Sequence, residues 1–162
     1  RRQLLRADIH GRRIPMRPPW AAPRFHDTCT RCDACLPACP ERILVRGDGG
    51  FPEVDFQRGE CTFCGDCVTA CAPRALFRAD PEAEPWRHIA HVAPTCLEAH
   101  GVHCRACADP CPEAVVSFQP GIAHRALPRI DLAGCTGCGA CVAPCPVGAV
   151  QIIPPPSTEV AA

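Results

Sequence analysis

Cysteine recurs in this chain at a spacing that leaves little freedom in what can be built around it. "CTRCDACLPACP" (Cys29–Pro40) reads C-x2-C-x2-C-x3-C-P, and "CTGCGACVAPCP" (Cys135–Pro146) repeats that spacing unchanged. "CTFCGDCVTACAP" (Cys61–Pro73) is a further copy in which Ala72 delays the proline by one residue. "TCLEAHGVHCRACADPCP" (Thr95–Pro112) ends on Cys104, Cys107 and Cys111 at the same spacing, but seven residues separate Cys104 from the preceding Cys96. The copies start at 29, 61, 96 and 135, the self-similarity of a repeated supersecondary unit.

All 16 cysteines of the 162 residues fall in these copies, four to each. That density exceeds ordinary core usage and leaves a disulfide scaffold or a metal protein. The aliphatic core is thin, because the 47% hydrophobic fraction counts the cysteines and the aromatics are six Phe and two Trp. Something besides side-chain packing must hold such a chain together. No apolar run approaches the roughly 20 residues that cross a membrane, and no secretory apolar region follows the N-terminus. The expected compartment is therefore the cytoplasm, where thiols stay reduced and metal is favoured over disulfides. The chain begins at Arg1 rather than Met, so a few residues are expected to precede it.

Three thiolates a turn apart can wrap three iron corners of one [4Fe–4S] cubane, while the fourth points away and completes the cluster of a partner motif. Zinc ribbons instead use paired C-x2-C units. Crossed ligation of neighbouring motifs predicts four clusters. The first takes Cys29, Cys32, Cys35 and Cys71; the second takes Cys61, Cys64, Cys67 and Cys39. The third takes Cys96, Cys104, Cys107 and Cys145; the fourth takes Cys135, Cys138, Cys141 and Cys111. Cys96 is most simply a ligand on a longer loop, since lengthening a loop adds little closure entropy. The alternatives are a three-iron cluster, or His100 or His103 in place of Cys96. Gly65, Gly137 and Gly139 are expected to let backbone amides approach the cluster sulfides.

The pattern predicts an α+β fold of two ferredoxin-like halves, residues 25–80 and 91–153, with a linker over 81–90. A basic arm over 1–24 precedes them and a disordered tail over 154–162 follows. Hairpins are expected around Gly47–Gly50 and Pro120–Gly121, closing strands at Ala75–Phe77 and Ala149–Ile153, and short helical turns between the third and fourth cysteine of each motif. Outside the cysteines there is no catalytic constellation; "GDGG" reads as a turn, and the absence of Lys excludes amine nucleophiles. A cluster with four thiolate ligands carries electrons rather than substrate. The chain is read as a non-enzyme, either an electron carrier or an accessory protein serving another protein. No nucleic acid and no stable membrane insertion are expected.

The arm adds the discriminating features. Residues 1–28 carry seven Arg against Asp8 and Asp27, in a chain whose formal charge is zero. "RRQLLR" (Arg1–Arg6) is similar to the core of a twin-arginine signal, but Asp8, three Arg and three Pro occupy the place of its apolar stretch. With "RPPWA" (Arg17–Ala21), "GGFPEVDF" before "ECTFCGDC", the extended motif from Cys96 and the final "CTGCGACVAPCPVGAV", the chain closely resembles NapF, the ferredoxin-type accessory family of periplasmic nitrate reductase systems. The resemblance implies a cytoplasmic protein with oxygen-labile [4Fe–4S] clusters. It also implies a partner, the cytoplasmic precursor of the nitrate reductase catalytic subunit, whose maturation the protein would serve before export. The alternative is a general polyferredoxin that feeds electrons to a redox partner. Leu4, Leu5 and Trp20 are expected as docking anchors of the arm; the rival reading packs the arm on the protein's own halves.

Overall fold

The computed structural model describes residues 15–120 and 126–155. The secondary structure is sparse, with short hairpins and one sheet pairing strands far apart in sequence. Strand β1 (Leu44–Arg46) pairs antiparallel with β2 (Pro52–Val54), Leu44 opposite Val54, across a turn that includes Gly49 and Gly50 at positive φ. Strand β3 (Ile89–Val92) pairs antiparallel with β6 (Val150–Ile153). Strands β4 (Val116–Pro120) and β5 (Ala126–Ile130) form the second hairpin, Val116 opposite Ile130. Both hairpins stand where the turn residues place them, although the 121–125 tip lies outside the described residues.

Among the described residues the α-helices are single turns: α1 (Phe25–Thr28), α2 (Cys35–Ala38) and α3 (Asp66–Thr69). Helices α2 and α3 carry the chain from third to fourth cysteine in the first two motifs, as expected. In the last two motifs the same path is made by hydrogen-bonded turns, Cys111 N–H to Ala108 O and Cys145 N–H to Val142 O.

A second repeat was not readable from residue types. Arg42, Arg74, Ala114 and Gly148 each stand three residues after a fourth cysteine, and each has φ between 51° and 60°. Each donates its N–H to the carbonyl of that cysteine. Only Gly148 advertises the left-handed conformation. Arg74 keeps this position although Pro73 is shifted, so Ala72 replaces the proline of the other copies rather than lengthening the turn.

The core is narrow. Phe25, Ile43, Leu76, Ala75 and Ala149 are almost fully buried, and the thiols of Cys35, Cys67 and Cys141 lie among them. Of the two expected closing strands, the second supplies β6, while Ala75–Phe77 makes only an isolated bridge. Ala75–Phe77 meets the arm through the Ala21–Leu76 bridge, with Ala22 N–H donating to Ala75 O and Phe77 N–H to Trp20 O. Pro18, Pro19 and Trp20 are buried. Trp20 Nε1 donates to Ala83 O at 2.8 Å and its ring lies under Arg78. Trp20 is therefore not an exposed anchor: this end of the arm is spent on the chain's own first half. Leu4 and Leu5 lie outside the described residues. The expected linker is likewise structured, since Ile89 and Ala90 open β3 and Trp86 packs against Phe56 and Phe63.

Candidate metal centres

The chain path brings the cysteines together in fours. One pocket is lined by Cys29, Cys32, Cys35 and Cys71, with Phe25 and Leu76 among its walls. A second is lined by Cys39, Cys61, Cys64 and Cys67 beside Ile43 and Leu44. A third is lined by Cys111, Cys135, Cys138 and Cys141 beside Ala90 and Ile152. In each, three cysteines come from one motif and the last from its neighbour.

The remaining four also share a neighbourhood. Burial, with Cys96, Cys145 and Cys104 as the adjoining thiols, pushes the Cys107 thiol up to about 11. Cys96 is thus carried back to its motif across the seven-residue loop. His100 Nε2 is engaged with Pro94 O at 3.1 Å, and His103 Nδ1 with Glu98 Oε1 at 3.1 Å.

The loop closes around Glu98, a residue the sequence reading passed over. Glu98 is buried, and its Oε1 also accepts the Cys104 N–H at 2.8 Å. Carboxylates are rarely buried without such partners. The signal in the sequence was a single acid between two cysteines of a stretched motif, which is indistinguishable from a solvated loop residue.

The electrostatics of the thiols follow their setting. Burial first, then the neighbouring thiols, raises Cys35 and Cys61 to about 11 and Cys67 and Cys141 to about 12. Cys138 is raised by burial, with Glu60 and Cys111 contributing. Exposed Cys32 is lowered, chiefly by the Ala34 backbone and then by the Thr30 side chain. Buried thiols of this kind hold their protons until a cation replaces them.

The backbone supplies positive character at the same places. Arg31 and Asp33, Phe63 and Gly65, and Gly137 and Gly139 occupy equivalent motif positions, and all six are left-handed. Alternation of right- and left-handed residues turns successive amides inward into an anion-binding nest, a form common at Fe–S sites. The glycines expected to admit amides are at these positions, but Gly137 and Gly139 also meet a second demand. A Cβ at Gly139 would collide with the Phe56 ring, and one at Gly137 with the His88 carbonyl. Cysteine sulfurs receive backbone donors as well: Leu76 N–H to Cys71 Sγ at 3.3 Å, Ala149 N–H to Cys145 Sγ at 3.2 Å and Ala90 N–H to Cys135 Sγ at 3.4 Å.

The donor chemistry fits a multi-iron cluster. The donors are thiols, the walls are largely apolar, and left-handed residues turn backbone amides toward them. Among the described residues no group of three or more His, Cys, Asp or Glu is gathered closely enough to grip a single ion. A structural zinc needs all its thiolates at about 2.3 Å from one centre. Fold and site together define a ferredoxin of the two-cluster-per-half kind, and the profile of the 4Fe-4S dicluster domain matches residues 28–75 and 102–149. The second match begins at Val102, after Cys96. The chain is 44% identical over 141 residues to the ferredoxin-type protein NapF of Haemophilus influenzae, covering 86% of this chain and 79% of that one. It is 41% identical to the ferredoxin-type protein NapF of Escherichia coli K12, covering 83% and 82%. The chain belongs to the NapF family of ferredoxin-type iron–sulfur proteins. Among the described residues no helix is long and apolar enough to cross a membrane.

Proposed function

We propose that the chain is a four-cluster [4Fe–4S] accessory protein that acts in the cytoplasm on the catalytic subunit of periplasmic nitrate reductase before export. The observation that carries the cluster reading is the lining of three separate cavities by four cysteines each, joined by the gathering of Cys96, Cys104, Cys107 and Cys145. The ligand sets we assign are the four crossed sets named above, with Cys96 completing the third. When bound, the clusters supply one-electron chemistry; the chain supplies thiolates, inward amides and N–H donors to sulfur, which tune potential. The named relatives support the ferredoxin-type reading, and the nitrate reductase assignment rests on what resemblance to the NapF family implies.

Partner docking is assigned to residues 1–14, which carry five Arg with Leu4 and Leu5. Arg offers planar, bidentate contact to carboxylates. The test is co-purification of the full chain, and of a chain lacking residues 1–14, with the unexported catalytic subunit. Loss of capture at full iron content in the truncated chain supports the assignment. Failure of the full chain to capture the precursor refutes the maturation role and leaves the second reading, an electron carrier. That reading is favoured by the close succession of thiol sets along the molecule.

A further inference from the structure

Within each half, the order of the sites follows from the covalent chain. Helix α2 begins at Cys35, of the first set, and is capped by Cys39, of the second. Four helical residues rise only about 6 Å. Helix α3 carries Cys67 of the second set and leads to Cys71 of the first. In the other half, the turns from Cys107 to Cys111 and from Cys141 to Cys145 link the third and fourth sets in the same way.

Between halves no such rule acts, because crossed ligation is satisfied inside each. The seating of one half on the other is decided by contacts, and these contacts converge. Cys61 N–H donates to Cys138 O at 2.8 Å. Glu60 lies close enough to Cys138 to raise its thiol. Phe56 covers Gly139, and the His88 carbonyl covers Gly137. Trp86 stands edge-on to Phe63 at 5.5 Å and to Phe56 at 6.2 Å, while its Nε1 donates to Thr136 O at 3.0 Å. The elements in contact belong to the second motif, the fourth motif and the segment that joins the halves.

Resting on the ligand sets proposed above, we infer that the four sites stand in the spatial order first, second, fourth, third, and that Trp86 is the positioning residue of the junction between the second and the fourth. This order differs from the order in sequence. Residues 15–24 reach both sites of the first half: Ala21 bridges Leu76, whose N–H donates to Cys71 Sγ of the first set, and Pro19 and Trp20 line the pocket of the second. The Cys96–Cys104 loop belongs to the third site, at one end, and the second and fourth sites form the middle.

The test uses the whole chain, reconstituted anaerobically with iron and sulfide, reduced with dithionite and read by electron paramagnetic resonance. Replacing Cys32 and Cys104 by Ala confines loading to the second and fourth sites; replacing Cys64 and Cys138 confines it to the first and third. The first double variant is expected to show a spectrum split by magnetic interaction between its two clusters. The second is expected to show the sum of two isolated signals. Adding Trp86→Ala to the first removes the splitting at unchanged iron content, and Trp86→Phe, which keeps the ring packing, retains it. The reverse pattern between the double variants overturns the order, and splitting that survives Trp86→Ala overturns the role of that residue. Amide hydrogen exchange in the unaltered loaded chain gives an independent reading of the junction. A protected Cys61 amide supports it, and exchange at the rate of an open peptide overturns it. Iron for fewer than four clusters in the unaltered chain overturns the four-site reading itself, and is distinguishable because no variant enters that measurement.

Discussion

Replacing Glu98 by Ala tests how the chain tolerates a stretched motif. Its carboxylate is 3% exposed and accepts the Cys104 N–H at 2.8 Å and faces His103 Nδ1 at 3.1 Å. Removing it strands the partly buried amide of a cysteine assigned to the third site. Losing the acceptor for such a donor costs about 1–3 kcal/mol. At about 1.4 kcal/mol per tenfold, the third cluster should be held about 5- to 150-fold less tightly. The two clusters of the first half should be unaffected, since Glu98 lies on the Cys96–Cys104 loop. The assay is iron release from the anaerobically loaded chain under a graded chelator challenge, followed by electron paramagnetic resonance. Glu98→Ala should release one cluster's iron early and the rest at the unaltered rate. Glu98→Gln keeps an oxygen acceptor for the Cys104 amide and should fall between. Release from Glu98→Ala indistinguishable from the unaltered chain would refute the positioning role. So would equal weakening at all sites, which would mean the residue matters only to the fold.

Other consequences follow from the same geometry. Cys71→Ala should lose the cluster assigned to Cys29, Cys32 and Cys35 while Cys61, Cys64 and Cys67 keep theirs; site-resolved spectra showing the opposite would break the crossed assignment. Gly139→Ala must accommodate a methyl against the Phe56 ring at φ 85° and should cost about 2–5 kcal/mol in denaturant unfolding of the loaded chain, overpacking of about 1–3 added to left-handed strain of about 1–2. Gly65→Ala, at the same φ with open space around its Cβ, should cost only the backbone strain of about 1–2 kcal/mol. Equal losses at the two glycines would count against the Phe56 contact. In the cluster-free chain, Cys35, Cys61 and Cys107 at about 11 and Cys67 and Cys141 at about 12 are raised from 9.0, so the folded form holds these protons more tightly than the unfolded form. Their contribution is fully present below pH 9.0 and is lost as pH rises through about 11 to 12. Circular dichroism of the chelator-stripped chain across that window should show the loss, and the loaded chain, whose thiolates are bound to iron, should not show this loss.

Much of the candidate site was legible because a cluster constrains residue type and spacing at once. Three thiols two residues apart and a fourth after three more are a local pattern, so each motif could be found without knowing the fold. The two hairpins were legible for a similar reason, since Gly47, Gly49 and Gly50 mark one turn and Pro120 and Gly121 the other. Left-handed backbone at Arg31, Arg42, Phe63 and Arg74 was hidden, because those residue types ordinarily avoid it and the surrounding turn imposes it. Glu98 was hidden because burial of an acid is a property of its surroundings, not of its neighbours in sequence.

The sequence by itself determined the chemistry: sixteen thiols in four repeats, an aliphatic core too thin to be the main source of stability, and a motif order that repeats in two halves. Tertiary structure alone decided that Glu98 closes the loop between Cys96 and Cys104, that Trp20 packs on the chain's own first half, and that the second and fourth motifs meet. The physical reason is range. Ligand spacing is set by a few consecutive dihedrals, which residue type and sequence separation encode directly. The seating of Phe56 on Gly139, or of Trp86 between Phe63 and Thr136, joins residues as far as 83 positions apart through shape and one or two hydrogen bonds. No periodicity along the chain records such a contact.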